Sequence, residues 1–197
     1  MALGYLNLSY ESRVLPYHDE QTPVALTGKK MLPIAVIDGK AQNESLDIIK
    51  GLDVRGQLNW SPASELQEFE QNVLAPIGSL VHSLAMPHWI WTPEFDTKSR
   101  QYFQSKKELK RGPFAALERQ WEKFASELNT FLHNHPELLR LQGENGKLSI
   151  KEIMLAAHLW GCYIVPEFQF APEWHNYLQQ IKKRTKFNYL KIFQEQE

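Results

Sequence analysis

Cysteine is nearly absent from this chain, which has one, Cys162. A single thiol excludes an intramolecular disulfide and any cysteine-rich metal centre. It fits a reducing compartment, and a cytoplasmic location is expected. No run of about 18 or more apolar residues occurs, so no membrane-crossing helix is expected. The start, "MALGYLNLSYES", lacks the basic head and long apolar core of a signal peptide. An excess of one charge is missing too. Lys and Arg total 22 against 23 Asp and Glu, a net charge of -1. That balance argues against a nucleic-acid footprint or a membrane-surface protein. No phosphate-binding glycine loop and no Ser-His-Asp arrangement is recognisable. His133 and His135 in "HNHPELL" have a spacing seen in metal sites, yet no cysteine or carboxylate cluster accompanies them. They are expected at a surface or helix end, with no metal bound.

What is present is enough for a folded core. The chain has 197 residues, 43% hydrophobic and 12% aromatic, which argues against disorder. The first fifty or so residues mix signals. "YESRVLPY" reads as a short strand ending at Pro16, and "DEQTPVALTG" as a short helix or turn closed by Gly28. "MLPIAVID" is a strand ending at the Asp38-Gly39 turn, with a second strand through Lys40 and Ala41. "ESLDIIKGLD" puts Leu46, Ile49 and Leu52 on one helical face, with Gly51 as a plausible stop. The expected order is β-α-β-β-α.

After an irregular stretch the pattern is helical throughout. "ASELQEFEQNVLAPIGSLVHSLAM" is a long helix expected to bend at Pro76. "TKSRQYFQSKKELK" follows, then "PFAALERQWEKFASELNTFLHNH" with Pro113 in the first turn. "SIKEIMLAAHLWGCYIV" opens with a capping box, Ser149 at N-cap and Glu152 at N3, and Leu148 stapling to Ile153. Its apolar run is hydrophobic nearly all round, as in a buried central helix. A last helix starts near Pro172. Trp89, Trp91 and Phe95 in "PHWIWTPEF" are expected to pack, or else to line an apolar groove between domains.

Two stretches carry a family likeness. "TGKKMLPIAVIDGKAQNESLDIIKGLD" resembles the second half of the thioredoxin-like domain of the bacterial glutaredoxin 2 family. "PEFDTKSRQYFQSKKELKRGPFAALERQ" resembles the middle of that family's helical domain, including its Arg-x-Tyr-Phe and Lys-Lys-Glu elements. The likeness runs from about residue 2 to 190. It implies an α/β plus all-α, glutathione transferase-like architecture. A partial thioredoxin-like domain would span 1–53, a linker 54–62, and an all-helical domain 63–197.

The resemblance also implies a ligand, glutathione. The Leu32–Pro33 bond would be cis, turning the backbone of Leu32 toward the cysteinyl part of the tripeptide. Glu44 and Ser45, opening a helix, would hold the γ-glutamyl end, since helix N-termini favour carboxylates. Lys29 or Lys30 would meet the glycyl carboxylate. Family chemistry is glutathione-dependent reduction of disulfides, protein disulfides among them, by a Cys-Pro-aromatic-Cys motif between the first strand and first helix. That motif does not occur here, and "MALGYLN" resembles the end of that first helix. A truncated or late-started chain is therefore expected, with no catalytic residue of its own and Cys162 buried and inert. The strand from Leu32 to Ile37, apolar on both faces, would be interior and need two neighbours. Two other readings remain open: a non-catalytic interaction module of the same fold, and a glutathione transferase acting on apolar electrophiles.

Overall fold

The computed structural model describes residues 1–141 and 143–189; the last eight positions of the expected helical domain, 190–197, lie outside the described residues. The order is α1 (Ala2–Tyr5), α2 (Gln21–Thr27), β1 (Ala35–Ile37), β2 (Lys40–Gln42) and α3 (Ser45–Leu52), followed by helices alone. Helix α2 ends where Gly28 takes φ 74 and donates to the Val24 carbonyl at 2.8 Å, a left-handed stop that glycine adopts without strain. Asp38 at φ 49 and Gly39 at φ 76 make the tight turn of an antiparallel hairpin pairing Ala35 with Gln42 and Ile37 with Lys40. Two successive residues at positive φ match the right-handed twist of the flanking strands.

Two expectations for this region are corrected. "YESRVLPY" is not a strand; residues 8–16 have no regular structure, because among the described residues no neighbouring strand offers it a ladder, and an isolated strand is not stable in water. The order is therefore α-α-β-β-α. The strand through Leu32 to Ile37 is shorter than expected and has one neighbour, β2, in a two-stranded sheet. Its central Val36 is 61% exposed. Helix α3 runs one residue past Gly51, and Ile48 is its buried side chain. Leu46, Ile49 and Leu52 pack beside it, half-buried.

The irregular stretch after α3 is tied down. The Asp53 carboxylate accepts from the amides of Gln57 at 2.6 Å and Leu58 at 3.0 Å, and from the Trp60 indole at 3.1 Å. Asn59 pairs with a segment far along the chain through its amide on the Leu148 carbonyl at 2.9 Å. The long helix then runs as α4 (Ala63–Phe69), a π-helical turn (Glu70–Leu74) and α5 (Ala75–Trp89). Pro76 has no N–H to give, and the Ala75 amide just before it reaches five residues back to Glu70. The discontinuity at the proline is thus a widened turn.

Helix α6 spans Thr97–Arg111, capped by the Asp96 carboxylate on the Ser99 amide at 2.6 Å. The next segment, expected as one helix, divides into α7 (Phe114–Glu118) and α8 (Trp121–Asn134). The break lets two faces serve two cores. Phe114 and Leu117 join Met86, Ile90 and Phe103, while Ala125, Leu128 and Leu132 join the main core. Helix α9 (Ile150–Leu159) carries the expected capping box in full, with Ser149 accepting from the Glu152 amide at 3.1 Å and Glu152 from the Ser149 amide at 2.7 Å. Leu148, Ile150, Leu155, Ala156 and Leu159 are fully buried, so α9 is the centre of the main core. A 3-10 turn (Trp160–Ile164) holds the buried Cys162, and α10 (Pro172–Thr185) closes the domain. Among the described residues no helix is long and apolar enough to cross a membrane.

Candidate functional site

The hairpin and α3 face the helical domain across a cavity of about 840 Å³. That lies within the range of roughly 300–1,000 Å³ usual for small-molecule sites. Pro33, Ile34, Ala35, Ser45 and Ile48 form its floor; Met86, Trp89, Phe95, Phe103 and Trp160 form much of the remaining wall. Pro33 and Ser45, twelve positions apart in sequence, thus border one space. The Leu32–Pro33 peptide is cis. Leu32, just before it, is 55% exposed.

Glu44 takes φ 71, a conformation that costs a non-glycine residue on the order of 1–3 kcal/mol and that clusters at ligand-holding positions. Its side chain makes no capping bond. Ser45 is the first residue of α3 rather than its cap, and the first intrahelical bond runs from the Ile48 amide to the Glu44 carbonyl at 3.0 Å. The amides of Ser45, Leu46 and Asp47 therefore lack intrahelical partners, as at any helix start. Asp47 in the same turn offsets part of the positive end of the helix dipole.

The two lysines differ. Lys29 is exposed. Lys30 reaches across to α6, donating to Tyr102 at 2.7 Å and Glu20 at 3.2 Å, with its ammonium 4.0 Å from the Tyr102 ring centre. Tyr102 in turn donates to Glu20. Burial works against the Lys30 charge, yet these bonds to Tyr102 and Glu20 hold its pKa above the usual lysine value. Tyr17 stacks on Phe95 at 5.5 Å and meets Phe103 edge-on at 4.8 Å. His18 sits 2.9 Å from the Ser99 hydroxyl. Tyr17, His18 and Lys30 together fasten the N-terminal part to α6.

Sequence reasoning did not single out His82, Tyr17 or His18, and gave Lys30 a different role. The Arg-x-Tyr-Phe and Lys-Lys-Glu elements supply Tyr102, Phe103, Lys107 and Glu108. Tyr102 meets Lys30, Phe103 and Lys107 line the cavity, and Glu108 accepts from the Phe114 amide at 2.8 Å. Of the aromatic loop, Trp89 and Phe95 line the cavity, whereas Trp91 is 68% exposed with the Arg100 guanidinium 5.0 Å from its ring centre. His133 is exposed, and His135 donates from Nδ1 to the Phe131 carbonyl at 2.7 Å. No group of three or more His, Cys, Asp or Glu suited to a metal occurs among the described residues. Cys162 is fully buried, and burial pushes its thiol well above the usual cysteine value, which disfavours the thiolate.

Residues 70–193 match the family model described as "Glutaredoxin 2, C terminal domain". The chain belongs to the glutaredoxin 2 family. Residues 1–59 match the model described as "Glutathione S-transferase, N-terminal domain". Glutaredoxin 2 of Escherichia coli K12 is 27% identical over 96% of this chain and 90% of its own length; the protein of Escherichia coli O157:H7 gives the same figures. The glutaredoxin 2 of Salmonella typhimurium, solved in complex with glutathione, is 27% identical with a TM-score of 0.82, covering 98% of this chain and 90% of that one. The fold is thus the glutathione transferase-like one, a small α/β part and a helical part. Lys30–Tyr102 and Tyr17–Phe103 are contacts by which this member of the glutaredoxin 2 family joins those two parts.

Proposed function

We propose that the chain binds glutathione, as ligand or co-substrate, on the floor made by Leu32, Pro33, Glu44 and Ser45. The observation that carries this reading is the convergence of Pro33 and Ser45 on one cavity, in a chain whose Salmonella relative was solved with glutathione. The Leu32 backbone takes the cysteinyl amide, the amide and hydroxyl of Ser45 take the γ-glutamyl carboxylate, and the Glu44 carboxylate takes the α-ammonium. Of the two lysines, Lys29 is the one we assign to the glycyl carboxylate, because Lys30 is engaged with Glu20 and Tyr102.

These residues do not themselves supply the nucleophile of disulfide reduction. Thiol–disulfide exchange needs an accessible thiolate, and Cys162 is buried among apolar side chains. Calorimetric titration with glutathione should give weak binding, weakened further in Ser45→Ala. Unchanged affinity in that variant would put the ligand elsewhere. In a glutathione-coupled assay on a small mixed disulfide the rate should equal the uncatalysed background. A higher rate that vanishes in Cys162→Ala would overturn the non-catalytic reading.

A further inference from the structure

A second cavity, of about 170 Å³, shares no lining residue with the first. One face of α10 makes most of it, with Glu173, Asn176, Tyr177, Gln180 and Arg184 at helical spacing. Leu139, from the 3-10 turn Pro136–Arg140, and Glu152, from the first turn of α9, close it. One molecule of liquid water takes about 30 Å³, so the space exceeds a single bridging water.

Tyr177 is 7% exposed, and among the described residues its hydroxyl has no hydrogen-bond partner. A buried polar group in that state is destabilising until a partner arrives. After burial, the charges that act on the phenol are those of Glu152 and Arg184, so its hydroxyl faces the end of the cavity where those two groups stand. Glu152 is 1% exposed. Its Oε2 accepts from the Ser149 amide, and its Oε1 lies 3.6 Å from Arg184, beyond hydrogen-bond reach. A carboxylate has about four acceptor sites, so accepting capacity is left. Burial raises the Glu152 pKa despite the Ser149 amide and the Arg184 charge; a second cation beside it relieves that desolvation. Arg184 is itself held in place, donating to the Gly146 carbonyl at 2.8 Å with its guanidinium 5.8 Å from the Tyr5 ring centre. With Glu173 at the exposed rim, the lining sets two carboxylates against one guanidinium. Leu139 and the buried Ile181 supply a short apolar wall.

We propose that this cavity binds a short primary alkylammonium, its N–H groups on the Tyr177 hydroxyl and Glu152 Oε1 and its alkyl body on Leu139 and Ile181. An ammonium has three donors and no acceptor, which suits an orphan hydroxyl beside a carboxylate. The site uses none of the residues assigned to glutathione, so it stands whether or not glutathione binds. The test titrates the full chain, at neutral pH and constant chloride, with propylammonium, propan-1-ol and tetramethylammonium, following amide signals by nuclear magnetic resonance. Propylammonium should give saturable shifts at Asn176, Tyr177, Gln180 and Arg184, and bind about tenfold more tightly than the alcohol, as one charge-assisted contact implies. Tetramethylammonium, with the same charge and no N–H, should bind no better than the alcohol. Tyr177→Phe should weaken propylammonium about tenfold while keeping or raising the melting temperature, because the hydroxyl it removes has no partner in the free chain. Glu173→Gln, at the rim, should weaken it a few-fold. No saturable shift with propylammonium, or equal affinity for either control, overturns the proposal without any variant. Undiminished binding in Tyr177→Phe overturns it as well, and so does a lower melting temperature there, which would show the hydroxyl already partnered.

Discussion

Gly4→Ala tests how the N-terminal helix is held. Helix α1 crosses the end of α10, and a Cβ at Gly4 would stand 1.9 Å from the Thr185 carbonyl oxygen, where ordinary contact begins at 3.4 Å. The obstacle is backbone, so no side-chain rotation relieves it, and α1 must lift away. Lifting it exposes Leu6, now 5% exposed, whose burial contributes about 1.5–3 kcal/mol. The Leu148 amide would lose the Tyr5 hydroxyl at 3.0 Å, about 0.5–1.5 kcal/mol. The better helix propensity of alanine returns at most about 1 kcal/mol. The net expectation is a loss of about 1–4.5 kcal/mol in urea unfolding followed by tryptophan fluorescence. Gly51→Ala is the control, since its Cβ would meet nothing nearer than the Gln42 amide at 3.9 Å. It should be neutral or stabilising by up to about 1 kcal/mol. A Gly4→Ala chain as stable as the unmodified one, or a destabilised Gly51→Ala, would refute the reasoning.

Leu155→Ala should cost about 2–5 kcal/mol in the same assay, since Leu155 is fully buried in the main core; a near-neutral result would show that α9 is not its centre. Ser149→Ala should cost about 1 kcal/mol through the lost cap, and more if the Leu141 carbonyl, which the Ser149 hydroxyl reaches at 2.6 Å, finds no water. Burial, then the charges of Arg111, Lys107 and His158, lower His82 from 6.5 to about 4. The unfolded chain therefore binds the extra proton first. The stability this confers is complete above pH 6.5 and lost as pH falls toward 4, and His82→Gln should flatten that part of the pH–stability curve. Cys162 should resist a thiol reagent in the folded chain and react once urea unfolds it; fast labelling of the native state would contradict its burial.

Much of the fold is legible in the sequence where its signals are local. Ser149 and Glu152 specify a helix start within four residues, Asp38-Gly39 a hairpin turn, Gly28 a helix stop, and each forms as the residue types require. Local pattern misled where stability depends on a partner. "YESRVLPY" has a strand-like composition and no ladder, and the helix after Pro113 divides because Phe114 and Leu128 belong to different cores. Of the candidate site, the family likeness carried Pro33 and Ser45, and the fold alone brings them to one cavity. Which lysine is engaged was not readable: Lys29 and Lys30 are adjacent, and only the approach of Tyr102, seventy-two positions away, separates them. His82 and Lys107 likewise look like ordinary surface residues of two amphipathic helices. Their setting comes from packing α5 against α6 under an apolar roof, which takes the Lys107 charge partly out of water. Charge and helix position are properties of a segment, whereas desolvation exists only between segments.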